Sequence, residues 1–168
     1  ASWVVAFLLI NYNGATAPWP SALTALDVRT WALVHAVSGS LFAGGIFTTT
    51  FLEWLVFRSP SRAVQVFWFS SATKAEAALV LPGLTGLLVS GVAQAWLTYQ
   101  CPIKYAPLYV KLPIHVLTLF GLWWLLTDLT TRDAVNDKGK QLRRQGSNLV
   151  SCMLLISIYA IMVLKPGG

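Results

Sequence analysis

WALVHAVSGSLFAGGIFTTTFLEWLVF, residues 31–57, decides how the chain is read. Its side chains include two ionisable groups, His35 and Glu53. A helix needs ~20 mostly apolar residues to cross a bilayer, so the stretch predicts a transmembrane helix with room to tilt. Arg58, Ser59 and Pro60 follow. Proline has no N–H for the helical ladder, so the span is expected to stop there.

Three further apolar runs lie beyond it, at 77–98, 108–126 and 149–164. Only 11% of the residues are charged and 56% are hydrophobic, whereas a soluble domain carries about 25% charge. The expected fold is all-α, an integral membrane antiparallel four-helix bundle forming a single domain over 1–168. Residues 1–26 form a segment before the first span. Within them, Trp3 to Ile10 is too short to span and lacks the basic start of a signal peptide, so it is expected to be an outer-side anchor lying at the membrane face or against the bundle. The linker after the first span carries Arg62, Phe67, Trp68, Phe69 and Lys74, and it predicts a segment at the headgroup level. Pro82 and Gly83 are expected to kink the second span near its start. Residues 128–145 are the most polar stretch and read as a loop.

The net charge of +6 does not imply nucleic acid, because no basic–aromatic module is present. Eight of the basic residues, Arg58, Arg62, Lys74, Arg132, Lys138, Lys140, Arg143 and Arg144, fall on one side of the expected topology. Arg29, Lys104, Lys111 and Lys165 fall on the other. The positive-inside rule makes the first side cytoplasmic, stromal or matrix-facing. The membrane is then a bacterial inner membrane or an organellar one such as the thylakoid. Lipid is an expected partner, as are other membrane subunits.

Ionisable groups inside spans usually serve a function. The chain has two histidines; His35 and His115 both fall within spans, at a similar depth in the outer half. Small residues follow His35 at Gly39, Ala43, Gly44 and Gly45, and Gly83, Gly86, Ser90 and Gln94 share one face of the second span. Such stripes serve as packing seams; they equally leave room for a flat macrocycle. Glu53 and Thr49 lie on the His35 face of the first span. Glu53 and His35 are separated by ~27 Å at ~1.5 Å per residue. Glu53 is expected to face protein, with Lys74 or Arg58 as the candidate partner. Lys111 precedes His115 by one turn and either snorkels to the interface or meets a ligand carboxylate. Cys101 and Cys152 fall at opposite faces, so no disulfide between them is expected. No CxxC, HExxH or phosphate-binding glycine loop is present.

The stretch HAVSGSLFAGGIF (His35 to Phe47) and the KLPIH stretch (Lys111 to His115) resemble bacterial four-helix membrane families with a first-span histidine. These are the haem-containing membrane protoporphyrinogen oxidases and the copper-resistance membrane domain. The resemblance implies a shared scaffold with a tetrapyrrole site at His35 and His115. Thr48, Thr49, Thr50 and Phe51 stand where the oxidases carry a Pro-Arg motif, so the oxidase activity itself is not implied.

Two functions follow as expectations. One is a tetrapyrrole-binding protein holding haem b or chlorophyll, with metal ligation by His35 and His115 and further contacts from Lys111, Gly39 and Gln94. Neutral imidazole is the usual axial ligand of such metals. The other is a non-catalytic accessory subunit of a photosynthetic or respiratory membrane complex. It is motivated by eight tryptophans and by the lack of a complete catalytic constellation.

Overall fold

The computed structural model describes residues 26–99, 105–131 and 134–165. All regular structure among them is helical. Helix α1 spans Val28–Arg58 and α2 spans Arg62–Ala75. A π turn, Glu76–Val80, joins α2 directly to α3, Leu81–Tyr99. Helix α4 spans Leu108–Thr131; a 3-10 turn, Ala134–Asn136, leads to α5, Lys138–Leu164. The described residues thus form four helical rods, each long and apolar enough to cross a membrane: α1, the continuous Arg62–Tyr99 rod, α4 and α5.

Each boundary has a local cause. Asp27 caps α1, its Oδ1 accepting from the Thr30 N–H at 2.7 Å. A capping carboxylate satisfies one of the four orphan donors of the first turn. At the other end the Ser59 N–H donates to the Val56 carbonyl at 3.0 Å, and Pro60 prevents continuation. Asp137 caps α5 in the same way, accepting from Gly139 N at 2.8 Å and Lys140 N at 3.3 Å.

Three sequence expectations need correcting. The stretch before residue 77 is not a loop: α2 continues through the π turn into α3. The irregularity expected at Pro82 and Gly83 is the π turn just ahead of them, where the Leu81 N–H donates to the Glu76 carbonyl. Proline cannot donate at 82, and the ladder is already reset to a wider period before reaching it. The polar stretch 128–145 is mostly helix: α4 continues to Thr131, and α5 begins at Lys138 rather than near 149. The N-terminal anchor at Trp3 to Ile10, Cys101, Lys104 and Arg132 lie outside the described residues.

Successive rods alternate in direction. Helix α1 lies along α3, α4 lies along α5, and α5 also packs on α1. The closest approach is that of α3 to α1. A β-carbon at Gly83 would stand 2.7 Å from the Phe42 backbone nitrogen and 3.0 Å from its Cα. Backbone atoms inside a helix cannot yield, so only glycine permits this approach. The stripe on α3 is therefore a packing seam against α1. Phe42 then meets Phe120 of α4 edge to face, with ring centroids 5.6 Å apart. Val80, Leu84, Leu117, Leu155 and Ile158 close the core around them. Arg62 donates to Asn136, so the two short connections, after α1 and after α4, meet at one end of the molecule.

Candidate functional site

Two polar sites lie at opposite ends of the apolar core. The first is a cavity of ≈ 540 Å³ between the start of α1, the end of α3, the start of α4 and the end of α5. Ligand pockets usually enclose about 300–1,000 Å³. His35, Gly39 and Gln94 line it, together with Pro113 from α4 and Tyr159 from α5. The wall is mostly apolar.

His35 is partly buried, and its Nδ1 lies 3.0 Å from Ser90 Oγ. The Ser90 hydroxyl is itself 2.5 Å from the Gly86 carbonyl oxygen. Two oxygens at that separation need a proton between them, so Ser90 donates to Gly86. It must then accept from His35. That fixes the imidazole as the Nδ1–H tautomer and leaves Nε2 with the lone pair. An imidazole held this way by its second nitrogen is how proteins orient a metal-ligating histidine. Gln94 extends the same network, its amide donating to the Trp31 and Ser90 carbonyls at 3.3 Å each.

His115 and Lys111 are not brought to this cavity. His115 is exposed on α4, with Nδ1 2.7 Å from the Lys111 carbonyl one turn earlier. The cavity side of α4 is formed instead by Tyr109, Pro113 and Leu117. Equal depth on two helices does not fix azimuth: His35 lines the cavity, whereas His115 is exposed. A single metal between His35 and His115 therefore does not fit the geometry. Among the described residues no group of three or more His, Cys, Asp or Glu side chains is placed to hold a bare metal ion.

The second site is a buried charge cluster at the other end. Arg144 of α5 is 4% exposed and Glu53 of α1 is 1% exposed. Arg144 Nε donates to Glu53 Oε1 at 2.7 Å, Nη2 to Glu76 Oε1 at 2.9 Å, and Nη1 to Asp128 Oδ1 at 3.2 Å. One guanidinium thus joins side chains from α1, from the π turn and from α4. Arginine suits the role because its donors leave a rigid plane in fixed directions. Asn148, one turn along α5, donates to Glu53 Oε2 at 2.6 Å. Glu53 faces protein, and its basic partner is Arg144 rather than Lys74 or Arg58. Arg58 instead stacks on Trp54, 3.9 Å from the ring centroid. Thr49 bonds back to the Gly45 and Ile46 carbonyls at 2.9 and 3.2 Å and takes no part in the cluster.

Arg144, Glu76 and Asp128 were not among the site residues expected from the sequence. A signal was present. The chain has six acidic residues, and Arg144, Ser147, Ser151, Cys152, Leu155 and Ile158 form one helical face that is polar at its start and apolar later.

No family model matches the sequence, and neither curated proteins nor solved structures give a match.

Proposed function

We propose that the chain is an integral membrane antiparallel four-helix bundle that binds a tetrapyrrole in the cavity, with His35 Nε2 as the axial ligand from protein. The observation that carries this reading is the imidazole fixed by Ser90 at the wall of a mostly apolar cavity. Haem or chlorophyll each suits one neutral imidazole. The bound ring would supply redox or light-absorbing chemistry. The protein's part is to orient one ligand nitrogen, exclude water with apolar walls and hold the ring plane. His115 belongs to no shared site in this scheme.

Absorption spectra of the purified chain, oxidised and dithionite-reduced, test the reading. A Soret band is expected in the wild type, lost or strongly shifted in His35→Ala and retained in His115→Ala. A protein without a Soret band after expression in a tetrapyrrole-replete host removes the reading.

A second reading is a non-catalytic accessory subunit of a photosynthetic or respiratory complex. It is favoured by the exposure of His115 on α4, where a neighbouring membrane subunit would touch it. In that case the chain co-purifies with a larger complex under mild detergent, and His115→Ala weakens that association.

A further inference from the structure

The cavity differs from a simple greasy slot at its mouth. Tyr99 is the last residue of α3, Tyr109 is the second of α4, and Lys165 directly follows α5; all three line the cavity. Three helix ends therefore converge around one opening. Lys165 adopts a left-handed conformation, φ 45°, and its N–H closes the last turn on the Ile161 carbonyl at 3.0 Å. Lys165 is exposed and is one of the residues that line the cavity. Among the described lining residues Lys165 is the one fixed cation, and no carboxylate is present. Among the described residues the cavity thus pairs a mostly apolar lining with one lysine. Lys111, the cation that the sequence suggested for this task, is not in the lining.

We infer that the site selects a ligand that is itself an acid, a flat apolar ring carrying an ionised carboxylate that meets the Lys165 ammonium at the mouth. The inference rests on the tetrapyrrole reading and narrows it. A ring with free carboxylate side chains, as in haem, complements the rim. A ring whose acid groups are esterified offers no charge there. The polarity of the cavity also sets the pose: metal toward His35, acid edge toward Lys165. An exposed cation gives a modest preference, about two- to fivefold in affinity, as expected for a solvated ion pair.

The test uses the full chain in detergent, titrated with haemin and with haemin dimethyl ester, which share the ring and metal and differ only in the acid groups. Haemin is expected to bind about two- to fivefold more tightly than the diester. Lys165→Gln should bring haemin down to the level of the diester and leave the diester unchanged, and Lys165→Arg should restore the preference. Equal binding of the two compounds to the wild type, or an unchanged preference in Lys165→Gln, overturns the inference while leaving the His35 site standing. If neither compound gives a His35-dependent spectrum, the tetrapyrrole reading fails and this inference fails with it. Since Lys165 is exposed and lies beyond the last helical turn, its substitution is not expected to unfold the protein. Far-UV circular dichroism checks that point.

Discussion

Replacing Arg144 by glutamine should be among the most damaging single substitutions in this chain. The guanidinium contacts three carboxylates, at 2.7, 2.9 and 3.2 Å, and Arg144, Glu53 and Glu76 are each at most 5% exposed. Removing one partner of a buried ion pair costs about 3–5 kcal/mol, because it strands the remaining charge. Here the substitution removes the shared partner of all three, so the upper part of that range is expected. For a chain of this size 1 kcal/mol corresponds to about 2–4 °C in melting temperature, which puts the fall at about 8–20 °C. Glu76→Gln makes the contrast. It removes one of three acids that also repel one another, and the amide oxygen can still accept from Nη2. Its effect should be about 1 kcal/mol or less, of either sign. Arg144→Lys should recover less than half of the loss, since an ammonium cannot hold three carboxylates in a planar fork. Apparent unfolding midpoints in one detergent at one heating rate provide the readout. An Arg144→Gln midpoint within 3 °C or so of the wild type, on the same scale, would refute the view that this residue holds the rods together.

The close approach of α3 to α1 predicts that Gly83→Ala destabilises strongly, because its β-carbon would press on the Phe42 backbone. Gly44→Ala should be neutral or stabilising by up to about 1 kcal/mol, as nothing lies within 4 Å of its β-carbon position; the same thermal assay ranks the two. Ser90→Ala removes the acceptor that fixes the His35 tautomer and should weaken haemin binding about 10–100-fold while leaving the fold intact, read by spectral titration. In a cysteine-free background, cysteines at Asn136 and Tyr105 should be labelled by an impermeant thiol reagent from opposite sides of a vesicle; labelling from the same side would remove the proposed topology.

The four rods were legible because long apolar blocks are a one-dimensional signal. Their ends were less so. The stretch 138–148 is polar but helical, and polarity alone does not separate a loop from a helix that extends beyond an apolar layer. At 1.5 Å per residue the 27 residues of α5 reach about 40 Å, longer than a hydrocarbon core of ~30 Å. Depth along a helix could also be read, and it placed His35 and Gln94 near one end and Glu53 near the other. Azimuth could not. Whether His115 turns toward His35 or away depends on how α4 is rotated against its neighbours, which is settled by packing such as Phe42 on Phe120. The partner of Glu53 was missed for a related reason. Arg144 was counted with the loop cations, and its reach to Glu53, 91 positions away, follows only from the antiparallel seating of α5 beside α1.

The position of Arg144, downstream of all three of its acidic partners, also gives assembly an order in time. Ribosomes deliver the chain from the N-terminus at ~5–20 residues per second. Glu53 emerges 91 residues ahead of its partner, about 5–18 s earlier at that rate. Glu76 and Asp128 also precede it. During that interval the growing chain holds three acids that the native fold buries, with no guanidinium yet made to receive them. Arg144 is the shared partner of all three, so the charge cluster can close only once α5 is made, after the helices that carry the acids.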